Sequence, residues 1–359
     1  MAPCFQGSCA VSSKPQSFNK LAILPELLTT LSELGYERMT PVQAETLPSL
    51  LAGRDVIAQA MTGSGKTAAF GISLLNRIVP RDFTTQALVL CPTRELADQV
   101  TKALRQYARG LGNIKMLTLC GGMAMGPQLN SLEFGAQVVV GTPGRVLKHL
   151  KQGSLSLTGL KTLVLDEADR MLDMGFIHDV KRVIIKLPAK RQTLFFSATM
   201  PPEIQTLANV LLTNPAKVEV TPVSSTVDAI DQSLFHVDKN NKPGLLLYLL
   251  KSEKVVSALV FTRTKHGADK VVKILHKENI TAAAIHGNKS QNARQHALSN
   301  FKNGNLRVLV ATDIAARGID IDELTHVINF DTPDVPENYI HRIGRTGRAD
   351  KKGIAITFI

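Results

Sequence analysis

The sequence predicts an α/β protein built as two tandem domains, each a mostly parallel sheet with helices on both faces. Short runs rich in Val, Leu and Ile alternate with helix-length segments along the chain, as buried parallel strands joined by crossover helices require. That alternation breaks once, near 221–228, and then resumes. At 359 residues the chain also exceeds what one hydrophobic core usually supports.

Residues 1–17, MAPCFQGSCAVSSKPQS, are small and polar, and a mobile tail is expected there. The first domain, 18–220, carries the runs DVIAQA, TQALVLCP, KMLTLCGG, AQVVVGTP, KTLVLDEAD and RQTLFFSAT, each read as a strand followed by a turn. In 215–229, PAKVEVTPVSSTVDA brings Pro, Ser and Thr with little apolar periodicity, which places a linker at 221–228. The second domain, 229–359, repeats the architecture with SALVFTRT, TAAAIHG, RVLVATD, HVINFD and GIAITFI, and with helices at 266–278 and 291–303. Its last run stops at Ile359, so either a short terminal segment or a whole further domain is expected beyond it.

Lys and Arg number 42 against 30 Asp and Glu, a net charge of +12, which points to a polyanionic partner or else to a basic solvated surface. Cys4, Cys9, Cys91 and Cys120 have neither metal-ligand spacing nor a paired framework, so a reducing compartment with no disulfide and no zinc is expected. No apolar run approaches a membrane span, and the N-terminus lacks the basic start and apolar stretch of a secretory signal. A soluble, cytoplasmic protein is expected.

The run DVIAQA breaks into Thr62, Gly63, Ser64, Gly65, Lys66 and Thr67 and then into helix formers. Backbone N–H groups of such a turn can surround phosphate oxygens, and the helix dipole favours their charge. Lys66 would reach the β and γ phosphates, and Thr67 would ligate Mg²⁺. The strict phosphate-loop pattern wants glycine at position 60, where this chain has Ala60. Its partner is VLDEAD at 164–169, in which Asp166 is suited to hold Mg²⁺ and Glu167 to orient and deprotonate an attacking water. Read alone, the acids are also what a helix dipole would favour at its N-terminus.

With those segments in view, the chain resembles the DEAD-box RNA helicases of helicase superfamily 2 from Phe18 to its end. The family's motifs occur in order: GYERMTPVQ (35–43), AMTGSGKT (60–67), PTRELA (92–97), GG (121–122), TPGR (142–145), DEAD (166–169) and SAT (197–199), then VFTRT (260–264), QNAR (291–294), ATDIAARGID (311–320) and HRIGRTGR (341–348). Ala60 is usual in that family. The resemblance implies two RecA-like domains and an RNA-stimulated ATPase that uses ATP with Mg²⁺. Gln43 would read the adenine edge, with Tyr36 stacking on the ring and Arg38 nearby; an amide that donates and accepts at once matches that edge. Arg345 and Arg348 would reach the γ phosphate, Asp320 would lie near the ribose, and Gly318 would also bind ATP.

By the same resemblance, Asp169, Ser197, Thr199 and His341 would couple nucleotide state to RNA grip. RNA would be held by Thr93, Arg94, Gly121, Gly122, Thr142, Gly144 and Arg145 in the first domain, and by Arg263, Gly287, Gln291, Arg294, Thr312 and Asp313 in the second, through phosphates and 2′-hydroxyls. Hydrolysis would then require the domains to close, and closure on a bent single strand would pry a few base pairs apart. Two alternatives stay open on the sequence: an ATP-dependent RNA clamp without productive unwinding, and a DNA-directed superfamily 2 translocase. Within the family, TQALVLCPTRELADQV and MLTLCGG resemble the bacterial DbpA type, whereas the second half is nearer the RhlE type. That implies a bacterial, monomeric protein free of membrane, working in ribosome assembly or RNA remodelling.

Overall fold

The computed structural model of the protein describes residues 17–61, 63–220, 230–251, 255–316, 324–347 and 353–359. Two sheets organise them, and every strand pair is parallel. The first contains β1 (Val56–Gln59), β2 (Ala87–Leu90), β3 (Met116–Leu119), β4 (Val138–Gly141), β5 (Thr162–Leu165), β6 (Gln192–Ser197) and β7 (Ala216–Glu219), in the order β3-β4-β2-β5-β6-β1-β7. The second contains β8 (Ile230–Phe235), β9 (Ala258–Phe261), β10 (Ala282–Ile285), β11 (Val308–Ala311), β12 (His326–Asn329) and β13 (Gly353–Phe358), in the order β10-β11-β9-β12-β13-β8.

Strand side chains alternate between faces, and each sheet therefore feeds two cores. In the first lobe Val56, Ala58, Val89, Val164 and Phe196 enter one core, while Ile57, Leu88, Leu165 and Phe195 enter the other. In the second, Ala258, Val260 and Val310 face one way and Leu259, Phe261 and Leu309 the other. The helix Lys66–Leu75, KTAAFGISLL, is apolar almost all round and is correspondingly buried, with Phe70 against Phe196 at 5.4 Å between ring centroids. Helices that leave strand ends are capped by hydroxyls: Thr93 accepts from Leu96 N–H, Thr264 from Gly267 N–H and Ser290 from Ala293 N–H.

The six strands expected in the first domain and the five in the second are present, together with two more. Ala216–Glu219 and Ile230–Phe235 flank the expected linker and occupy sheet edges. An edge strand half exposed along its length has no continuous apolar run, which is why 215–229 reads as irregular. Residues 221–228, and the expected tail up to 16, lie outside the described residues. Among those described, no helix is long and apolar enough to cross a membrane.

Because all strands are parallel, their carboxyl ends lie along one rim of each sheet, where α/β proteins gather ligands. The segments 60–67, 166–169 and 197–199 follow β1, β5 and β6, which are neighbours. Thr93, Gly121 and Thr142 follow β2, β3 and β4, which are neighbours on the other half. The two rims face each other: Arg294 of the second lobe reaches Glu95 of the first at 3.1 Å, and Gln295 Nε2 donates to Asp98 at 3.4 Å.

Candidate active site and nucleic-acid interface

The phosphate loop leaves β1 with Ala60 N–H bonded to the Ser197 carbonyl, so it starts locked to the neighbouring strand. Gly63 and Gly65 have φ of 84° and 97°, a left-handed backbone that glycine adopts without cost. A Cβ at Gly65 would also lie 2.5 Å from Gln43 Nε2. Lys66 opens the helix, is buried, and donates from Nζ to the Ala60 carbonyl at 2.7 Å, so its ammonium is held across the mouth of the loop. Ser64 closes the turn by donating to the Met61 carbonyl.

At the end of β5, Asp166 and Glu167 are both buried. Burial pushes Asp166 up to about 7 against the pull of Lys66, with Glu167 adding to the rise. Its Oδ1 is buried without a hydrogen-bond donor, which suits a hard cation. No group of three His, Cys, Asp or Glu able to hold a metal exists among the described residues, so a cation here would complete its shell with the Thr67 hydroxyl, phosphate and water. The residues fit Mg²⁺ carried with a triphosphate, not a metal caged by protein alone.

Glu167 has φ 54° and ψ 55°, one of the few left-handed non-glycine residues described. That backbone turns its carboxylate onto Arg170 at 3.0 Å. Asp169 is tied to β6: its Oδ2 accepts from the N–H groups of Ala198 and Thr199 and from the Thr199 hydroxyl, and its own N–H donates to Ser197 Oγ. Asp169 thereby fastens the acidic segment to the SAT segment.

Gln43 sits beneath the loop. Its Oε1 accepts from Thr40 N–H and its Nε2 donates to the Gly65 carbonyl at 3.1 Å, so the amide joins a helix N-terminus to the phosphate loop. Tyr36 is held edge-on between Phe18 and Tyr107, with its hydroxyl 2.9 Å from that of Tyr107, while Arg38 is exposed. Thr62, Gly318, Asp320 and Arg348 lie outside the described residues.

From the second lobe Arg345 is buried and lines a small pocket with His341, Arg342 and Asp313, and Arg170 of the first lobe completes its wall. Arg342 organises that rim. Its guanidinium takes both Asp313 oxygens at 2.6 and 2.7 Å, donates to Asn329 Oδ1 and the Asp331 carbonyl, and lies 4.9 Å over the Phe261 ring. Both Asp313 oxygens are thus engaged within the lobe.

Beside this pocket a cleft of about 420 Å³ runs between the lobes. Thr93, Arg94, Gly121, Thr142, Gly144 and Arg145 line one wall, and Gly287 and Arg294 the other. Gly122 adjoins it with φ 77°, and a Cβ there would run into the Arg94 guanidinium. Gln291 is buried at the start of its helix, Thr312 is half-buried, and Arg263 is exposed and paired with Asp334 at 3.1 Å. Eight of the thirteen positions expected to hold RNA meet at this cleft; Gly122, Arg263, Gln291, Thr312 and Asp313 do not line it.

The profile of the DEAD/DEAH box helicases matches residues 40–207, and that of the helicase conserved C-terminal domain matches 241–350. Escherichia coli ATP-dependent RNA helicase DbpA is 49% identical over 343 residues, covering 95% of this chain and 75% of that protein. The chain belongs to the DEAD-box ATP-dependent RNA helicases. Bacillus subtilis DEAD-box ATP-dependent RNA helicase CshA is 44% identical, covering 96% of this helicase and 69% of its own length. Among solved structures, Saccharomyces cerevisiae Dbp5 L327V bound to RNA and ADP BeF3 is 33% identical, covers 96% of this chain and 89% of its own, and superposes with a TM-score of 0.85. A DEAD box protein from Methanococcus jannaschii is 40% identical, covers 96% and 93%, and superposes at 0.56. The less identical of these two chains superposes with the higher TM-score.

Several residues that organise the helicase rim have no assignment in the sequence reading. Arg342 sits inside the cation-rich HRIGRTGR, and Arg170 directly follows the acids of DEAD, so each had a local signal in its neighbours. Glu95 lies inside PTRELA, but nothing local marks its partner, and Gln128 and His149 had no signal, because their partners lie on other elements.

Proposed function

We propose that this helicase hydrolyses ATP at the β5-β6-β1 rim while gripping the RNA backbone in the cleft beside it, and that each ligand favours the closed arrangement of the lobes. Lys66 and the loop N–H groups hold the triphosphate, Gln43 and Tyr36 hold the base, and Arg345 with Arg348 neutralises charge developing on the γ phosphate. Glu167 accepts the proton of the attacking water, and Arg170 keeps its carboxylate aimed. Asp166 and Thr67 would hold a Mg²⁺ carried with the nucleotide, which would supply charge neutralisation to the phosphates. Asp169, Ser197 and Thr199, with His341 opposite, transmit loss of the γ phosphate to the cleft.

The observation that carries this reading is the cleft itself: backbone and guanidinium groups from both lobes line one channel, and other strand ends on the same rim of the first sheet carry a buried acid pair and a buried lysine. Phosphate and 2′-hydroxyl contacts suit a helicase acting on many sequences. Resemblance to the DbpA type makes ribosomal RNA remodelling in the cytoplasm, by a monomer, the biological setting we favour. The test is ATP turnover at low salt with and without single-stranded RNA. RNA should raise the rate at least tenfold, and equal rates would overturn the coupling.

A further inference from the structure

Arg145 does not stand free at the cleft. Its Nη1 donates to Gln128 Oε1 at 2.9 Å, and its Nη2 donates to the Met123 carbonyl at 3.0 Å. Gln128, on the helix Met125–Glu133, is buried, and its Nε2 donates to the Cys120 carbonyl at 3.2 Å. That carbonyl precedes Gly121, so one amide ties two segments of the same wall. The orientation of the amide follows from its partners, since only its N–H₂ can face a carbonyl.

The second donor to Gln128 Oε1 is His149, fully buried one turn beyond Arg145, with Nε2 at 3.0 Å. Burial, with Arg145 and Lys148 adding to it, holds the imidazole below its ordinary value, so the ring is neutral near pH 7. Nε2–H then donates to Gln128, and Nδ1 accepts from the Ser154 hydroxyl at 2.9 Å. Both lone-pair directions of the amide oxygen are filled. Such a chain is costly to bury unless each member is satisfied, and helix packing alone gives no reason for it.

We propose that Gln128, fixed by His149, is a positioning residue that aims Arg145 along the cleft and ties it to Gly121, and so sets how tightly the first lobe grips the RNA backbone. The inference rests on Arg145 contacting RNA. Neither Gln128 nor His149 reaches the strand, so their effect passes through Arg145.

A double-mutant cycle tests it, read as the RNA concentration giving half-maximal ATPase stimulation and as kcat at saturating RNA. Gln128→Met should raise that concentration about tenfold, the size of one lost hydrogen bond to a charged group, and leave saturated kcat and RNA-free turnover within twofold. In an Arg145→Ala background the same change should add less than twofold. His149→Gln still offers an N–H to Gln128 and should retain the wild-type RNA requirement, whereas His149→Leu should match Gln128→Met; this pair decides the matter if Gln128→Met does not fold. An undiminished Gln128→Met effect in the Arg145→Ala background, or equal behaviour of His149→Gln and His149→Leu, overturns the proposal. An Arg145→Ala enzyme with the wild-type RNA requirement instead removes Arg145 from the RNA contacts.

Discussion

Glu95→Gln should uncouple ATP from RNA without harming either lobe. The Glu95 and Arg294 side chains are 3% and 12% exposed and 3.1 Å apart across the lobes. Burial lowers the Arg294 pKa, with Glu95 opposing that shift and Arg94 adding to it. Removing one partner of a buried pair costs about 3–5 kcal/mol. Glu95 Oε1 and Arg294 Nε lack an aligned hydrogen bond, and glutamine still presents a carbonyl, so about 1.5–2 kcal/mol is the appropriate share, a factor of roughly 10–30. The cost falls only on the closed arrangement, since in opened lobes both side chains meet water. Anisotropy of a labelled single-stranded RNA, titrated at fixed salt with and without a non-hydrolysable ATP analogue, measures it. Nucleotide-driven tightening should shrink by that factor while nucleotide-free affinity moves less than twofold, and a second change, Arg294→Gln, should be far from additive. Full tightening in Glu95→Gln would refute the idea that this pair holds the lobes together.

Glu167→Gln removes the water-activating carboxylate and its pair with Arg170; turnover should fall at least about 100-fold while ATP and RNA binding persist, as measured by single-turnover hydrolysis beside equilibrium binding. Gly122→Ala places a Cβ on left-handed backbone and against the Arg94 guanidinium, a strain of about 1–2 kcal/mol, so half-maximal stimulation should need roughly five- to thirtyfold more RNA.

What the sequence made legible was whatever is local. Buried parallel strands such as LVL at 88–90 and VVV at 138–140 are apolar on both faces, and the phosphate loop and acidic segment are each contiguous, so period and spacing reveal them. The edge strands β7 and β8 escaped because only part of each faces a core. The rim's supporting contacts escaped for a different reason. Glu95 meets Arg294, and Arg342 meets Asp313 and Asn329, through a fold that brings distant segments together, and a lone glutamine such as Gln128 looks like any other polar residue on a helix until Cys120, Arg145 and His149 surround it. Gln43 stands between these cases: its motif is visible, but its bond to the Gly65 carbonyl is not.

The strand order β3-β4-β2-β5-β6-β1-β7 makes the first lobe a single plate whose fuel end and cargo end are joined by the β2–β5 ladder, with no seam between them. With the two ends continuous in one sheet, a change of stance between plates is the stroke this layout favours. The loops on the cargo end could then be exchanged to suit a different strand while the fuel end is left as it is, which makes this rim a natural place to re-engineer what the machine holds without rebuilding what drives it.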